Sequence, residues 1–104
     1  MASTGRTDKR SIRRRLSGRY CDAGDEHALQ DDVGGAIAMY QRATELDADN
    51  DRAYIGLGDV HVLADRDDRA MAAYRKALKK KPNSADAHFC IADLLSRGGQ
   101  LREA

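Results

Sequence analysis

The side chains best suited to chemistry in this sequence are two histidines and two cysteines. His27 and His61 lie 34 residues apart, and Cys21 and Cys90 lack the C-x-x-C or C-x-x-H spacing of a metal site. Histidines on neighbouring packed helices stand about 10 Å apart, which is too far for both to bind one zinc ion. The pattern predicts two packed histidines, two unpaired thiols in a reducing compartment, no metal ion and no cofactor.

Carboxylates could also do chemistry, but no catalytic motif surrounds them. The sequence contains no GxxxxGK[ST], GxGxxG, HExxH or GxSxG segment. Asp25, Asp59 and Asp93 recur at intervals of 34 residues, and most other acids stand where helices are predicted to begin. We therefore expect no enzyme and no small-molecule substrate.

Charge is unevenly distributed along the 104 residues. Residues 1–19 hold seven basic side chains and one acid, whereas the rest of the chain holds eleven basic and sixteen acidic ones. No run of about 18 apolar residues could cross a membrane, and the basic start lacks the apolar segment of a secretory signal. We expect a cytoplasmic protein, with an Arg-rich organelle transit peptide as the alternative interpretation of the first residues.

A repeat of 34 residues must position these side chains. Residues 17–50 and 51–84 are identical at ten of 34 aligned positions, and the following copy, residues 85–104, is incomplete. We therefore expect the chain to be a fragment of a longer array. The identical pairs are Tyr20/Tyr54, Gly24/Gly58, Asp25/Asp59, His27/His61, Leu29/Leu63, Asp31/Asp65, Ala36/Ala70, Ala38/Ala72, Tyr40/Tyr74 and Ala43/Ala77.

Each full copy predicts two helices joined by a short polar turn, which lies at residues 64–68 in the second copy. Lysines before Pro82 predict the end of its second helix. In the third copy, Gly98 and Gly99 predict that a helix over 85–97 ends there. Each hairpin alone leaves an apolar side exposed, so the copies must stack. The residues with helical spacing in the second copy are Tyr54, Leu57, Gly58 and His61, then Ala70, Tyr74 and Ala77.

The order of these residues resembles the tetratricopeptide repeat family. The second copy carries the family pattern at Tyr54, Leu57-Gly58, Ala70, Tyr74, Ala77 and Pro82; the first has Ala23 for the leucine and Ala48 for the proline. The resemblance implies an all-α fold of antiparallel helix hairpins, stacked as a short right-handed superhelix (α-solenoid) of about two and a half repeats. The predicted units are repeats at 17–50 and 51–84 and a partial repeat at 85–104, whose first helix acts as a cap. Residues 1–16 do not continue the repeat and are predicted to be a basic, flexible leader.

In that family the first helices of successive repeats line a concave groove that holds a peptide or a helix. The three periodic aspartates would form a ladder beside an apolar floor, which predicts a basic or amphipathic partner segment. The alternative is that these acids are solvated or cap neighbouring repeats through hydrogen bonds. The candidate groove residues are Asp25, Leu29, Arg52, Ile55, Asp59, Val62, Leu63, Phe89 and Asp93, with Cys21, Ala28, Asp86, Ser96 and Arg97 as further positions.

Acids and thiols stand where a well-known subgroup of the family grips a chaperone's C-terminal carboxylate. These positions hold Cys21, Asp25, Asp86 and Cys90. Because carboxylates repel a peptide carboxylate, we do not expect such a clamp.

The sequence predicts a scaffold or adaptor whose partner is another protein or peptide. The alternative of a different class is non-specific nucleic-acid association through the Arg-rich leader and the basic patch at 75–81. A third reading is a homodimer through apolar residues around Ile91, Leu94 and Leu95, exposed by the incomplete repeat. We also consider that the basic leader folds back onto the acidic groove.

Overall fold

The computed structural model describes the backbone of residues 8–103 and the side chains of residues 8–98. This part of the chain is all-α, with five helices packed as sequential pairs, and it confirms the predicted fold class of about two and a half helix-hairpin repeats. Connections of three or four residues separate the helices, so neighbours in sequence pack antiparallel. The helices are α1 (Lys9–Leu29), α2 (Val33–Leu46), α3 (Asp51–Leu63), α4 (Asp67–Lys80) and α5 (Ala85–Glu103).

Polar side chains begin most of these helices. Asp8 accepts a hydrogen bond from the Ser11 amide at 2.7 Å, and Asp32 and Asn50 cap α2 and α3 in the same way. The turns before α2 and α4 are alike, because Asp31 and Asp65, one repeat apart, both have a φ of 60°. Aspartate adopts this left-handed conformation more readily than most residues. The acids predicted to stand at helix starts therefore also form the turns.

The core is built from tyrosines that pack on glycines. The ring of Tyr40 in α2 lies between Gly24 of α1 and Gly56 of α3, and the ring of Tyr74 in α4 lies on Gly58 of α3. A Cβ atom at any of the three glycines would come within 2.8 Å of the facing ring, so no larger residue fits there without movement. Fully buried alanines fill the remaining space: Ala36, Ala43, Ala53, Ala70, Ala77 and Ala87.

The first helix begins earlier than the predicted leader allows. Residues 9–16 form the first two turns of α1, and only residues 1–7 of the leader lie outside the described residues. Asp8 caps the helix, and no proline interrupts the chain before Leu29. The expected flexibility, and the folding back of the leader onto the groove, are therefore wrong for residues 9–16. The repeat limits at 17, 51 and 85 stay predictions.

The last helix also differs from its prediction. α5 continues through Gly98 to Glu103 instead of ending near residue 97. Glycine costs only about 1 kcal/mol in a helix interior, and no proline follows to stop the helix. On α5, Leu94 is 5% exposed because it packs against α4, so the apolar surface expected for a homodimer lacks one of its three residues.

Within residues 8–103, no helix combines the length and the apolar character needed to cross a membrane.

Candidate functional site

Five of the nine predicted groove residues meet in one groove between α3 and α5. Asp59, Val62 and Leu63 line it from α3, and Phe89 and Asp93 line it from α5. The groove has a volume of about 290 Å³. Its other lining residues are Tyr74, Cys90, Leu94 and Arg97.

The apolar part of this groove is open to solvent. Phe89 is 73% exposed and Leu63 is 57% exposed, on opposite sides of the groove. Beneath them Leu94 is buried, and half-buried Val62 packs against the same cluster. Large apolar side chains exposed together beside a buried floor are typical of a protein contact surface.

Asp59 is the acid that lines this groove from α3. Its Oδ1 accepts a hydrogen bond from Tyr74 Oη at 2.6 Å. Burial raises the pKa of Asp59, and the charges of Asp25 and Asp86 raise it further, while the Tyr74 hydrogen bond acts against them. Of the other ladder acids, Asp93 lies 3.6 Å from Arg97 Nε, one helical turn further along α5. Asp25 and Asp86 therefore repel the charge of Asp59, whereas Asp93 is paired with Arg97.

The predicted groove residues at the junction of α1 and α3 are arranged differently. Arg52 of α3 contacts Asp22 and Asp25 of α1, with 2.7 Å from its Nη2 atom to each carboxylate oxygen. Asp25 also accepts a hydrogen bond from the hydroxyl of Tyr40. The hydrogen bonds that Arg52 donates to Asp22 and Asp25 raise its pKa. At this junction one arginine pairs with two acids of the same chain, so Asp25 links neighbouring helices rather than facing solvent alone.

Two other predicted groove residues lie away from the α3–α5 groove. Leu29 is the last residue of α1 and is 84% exposed. Ile55 is half-buried and packs against the cluster formed by Ala70, Tyr74 and Leu94.

Sequence reasoning missed Tyr74 and Leu94 as groove residues. A signal for the tyrosine existed, since Tyr40 and Tyr74 each follow the aspartate that they contact by 15 residues. Leu94 carried no such signal, because its position follows from the packing of α5 on α4.

His27 and His61, one repeat apart, have different surroundings. His27 Nδ1 lies 2.9 Å from Asp32 Oδ2, whereas the equivalent residue beside His61 is Arg66. Burial lowers the pKa of His61, and Arg66 and Arg69 lower it further. Among the residues that the structure describes, the buried His61 Nδ1 has no hydrogen-bond partner. Within the same residues, no group of three His, Cys, Asp or Glu side chains could hold a metal ion.

Comparison with known families agrees with this arrangement. Two family models, both described as tetratricopeptide repeat, match the chain, one over residues 27–88 and the other over residues 73–104. No curated protein matches the chain. Repeats of this family are generally protein–protein interaction modules and are typically non-catalytic. With more than half of its length matched, the chain belongs to the tetratricopeptide repeat family.

Proposed function

We propose that the groove between α3 and α5 binds a peptide or a helix of another protein, and that this segment is basic or amphipathic. The chain then acts as a scaffold or adaptor, by binding rather than by catalysis. Phe89 and Leu63 would bury their exposed side chains against the apolar residues of the partner. Such burial in the centre of a small groove is where most binding energy in protein interfaces arises.

The preference for a basic partner rests on the position equivalent to Arg52, which holds no cation at the α3–α5 junction. One repeat after Arg52, the equivalent residue is Asp86. The α1–α3 junction therefore has an arginine between its acids, whereas the α3–α5 junction has a further acid, whose charge raises the pKa of Asp59. A lysine or arginine of the partner, placed beside Asp59 and Asp86, would provide the charge that Arg52 provides one repeat earlier.

The apolar part of the proposal is tested by selecting binders from a displayed random peptide library. The affinity of one selected peptide, labelled with fluorescein, is then measured by anisotropy. We expect selected peptides to combine lysine or arginine with apolar residues. Phe89→Ala should weaken binding roughly tenfold to a hundredfold, because burying a phenyl ring contributes about 1.5–3 kcal/mol. Unchanged affinity in this variant would place the peptide elsewhere.

The charge preference is tested with Asp86→Arg, which introduces at α5 the cation that α3 carries at Arg52. This variant should lose most of its affinity for a cationic peptide. Glu45→Arg makes the same change of charge at an exposed position of α2 and should bind like the wild type. Selection of acidic peptides, or equal binding by both variants, would contradict the proposal.

A further inference from the structure

Two basic segments that are far apart in the sequence lie on the same edge of the protein. Because consecutive helices are antiparallel, the start of α1, the end of α2, the start of α3 and the end of α4 share one edge. Lys9, Arg10, Arg13 and Arg14 line a cleft of about 820 Å³ whose other wall is residues 46–49. In that wall, Asp49 Oδ1 lies 3.6 Å from Lys80 Nζ. The wall of the cleft therefore contacts Lys80, at the end of α4.

The cations of this basic edge, defined as Lys9, Arg10, Arg13, Arg14 and Lys79–Lys81, are mostly unpaired. All seven are exposed, and only Lys80 makes a salt bridge among the residues that the structure describes. Four acids stand beside them: Asp8 caps α1, Asp47 and Asp49 stand in the cleft wall, and Asp51 is the first residue of α3. Seven cations against four acids leave the edge with an excess of positive charge.

The chemistry of the cleft indicates the class of its partner. Among the residues that the structure describes, Leu46 and Ala48 are the only apolar ones that line the cleft, whereas a protein partner would require an apolar centre such as that around Phe89. Binding through charge alone is typical of non-specific contacts with nucleic acid, and the arginine fork fits phosphate oxygens. No aromatic side chain between residues 8 and 98 lines the cleft, so this part of the chain offers no platform for stacking bases.

We propose that the basic edge binds the phosphodiester backbone of a nucleic acid without sequence preference. This binding is separate from the proposed peptide site, because the groove uses the second half of α3 and the exposed side of α5. Both surfaces can be occupied in one molecule. The chain would then connect a protein partner to a nucleic acid.

The test measures anisotropy of a fluorescein-labelled DNA duplex of about 20 base pairs at several KCl concentrations. We expect binding at low salt that weakens steeply as KCl increases. Two double variants, Arg10→Gln/Arg13→Gln and Lys79→Gln/Lys81→Gln, remove charge from the two segments. Each should make the negative slope of log K against log [KCl] less steep by about 2, because each lost phosphate contact reduces its magnitude by about 1.

The matched control is Arg66→Gln/Arg69→Gln, which removes two exposed cations from the opposite edge. It should bind DNA like the wild type, and thermal melting of all three variants confirms that they fold. An effect of only one of the two segments would refute a single basic edge. Absence of DNA binding at low salt, or equal binding of an acidic polyglutamate peptide, would refute a phosphodiester partner.

Discussion

Replacing Gly58 by alanine should destabilise the protein, although alanine is the better helix former. A Cβ atom at position 58 would lie 2.6 Å from Cδ1 and 2.7 Å from Cζ of Tyr74, whereas carbon atoms in good contact stand about 3.5–4.0 Å apart. The ring has little room to move, because Tyr74 is 3% exposed and its hydroxyl is bound to Asp59. Alanine must therefore displace the ring or push α3 away from α4.

The opposing effects have known sizes. Added volume in a close-packed core costs about 1–3 kcal/mol, and a lost hydrogen bond to a charged group costs about 1.5–3 kcal/mol. The helix preference of alanine recovers about 1 kcal/mol. We expect the free energy of unfolding to fall by about 2 kcal/mol, which corresponds to a decrease in melting temperature of roughly 10 °C for a domain of this size.

Urea denaturation followed by circular dichroism at the helix band measures this change. Gly18→Ala is the matched control, because Gly18 lies inside α1 and a Cβ there meets nothing within 4 Å. It should raise the free energy of unfolding by about 0.5–1 kcal/mol. If Gly58→Ala is as stable as Gly18→Ala, the Tyr74 ring does not restrict position 58 and this account of the core is wrong.

Three other predictions concern the polar contacts. Ser17→Ala should lower the free energy of unfolding by about 1–3 kcal/mol in urea denaturation, because the buried hydroxyl donates to Ala43 O at 2.7 Å and accepts from Asn50 Nδ2 at 2.8 Å; an unchanged midpoint would contradict this. Arg52→Ala should change the free energy of unfolding by less than about 1 kcal/mol. The same variant should bind a cationic peptide more strongly, as measured by anisotropy, because it frees the carboxylates of Asp22 and Asp25. Weaker binding would argue against an acidic groove. Because the folded-state pKa of Asp59 is raised, its stabilising contribution is present below the unfolded pKa of about 3.9 and is lost as pH rises through the folded pKa. Asp59→Asn should therefore gain stability relative to the wild type as pH rises above about 4. Hydrogen bonds from Gly35 and His27 lower the pKa of Asp32, so its stabilising contribution is present above the unfolded pKa of about 3.9 and is lost as pH falls through the folded pKa. Asp32→Asn should therefore be less stable than the wild type above about pH 4, and the difference should shrink at lower pH. A difference that does not shrink on acidification would contradict this assignment.

The hairpins could be predicted from the sequence because their signals are local. Tyrosine, glycine and alanine recur with helical spacing in two copies, and the turns carry the same aspartate. The start of α1 had a weaker signal, since residues 9–16 are mostly basic and only Ile12 and Leu16 provide apolar spacing. The passage of α5 through Gly98 had none, because glycine is compatible with both a helix and its end.

The candidate groove was predictable in position but not in electrostatics. Counting 34 residues placed Asp59 and Asp93 on the first helices of successive repeats, and the structure brings both to one groove. Which acids are already paired depends on contacts between helices, such as the reach of Arg52 to Asp25. The 34-residue spacing did not reveal this pairing, because the residue equivalent to Arg52 in the third copy is Asp86.

Tyr40 belongs to the first repeat in sequence but packs equally on the second. Its ring occupies the space between Gly24 in its own hairpin and Gly56 in the following one. In a linear array, cooperativity arises from the interfaces between neighbouring units, not from the units themselves. A single side chain shared by both hairpins makes it costly for either one to open alone. We therefore expect the two hairpins to unfold together as one cooperative unit.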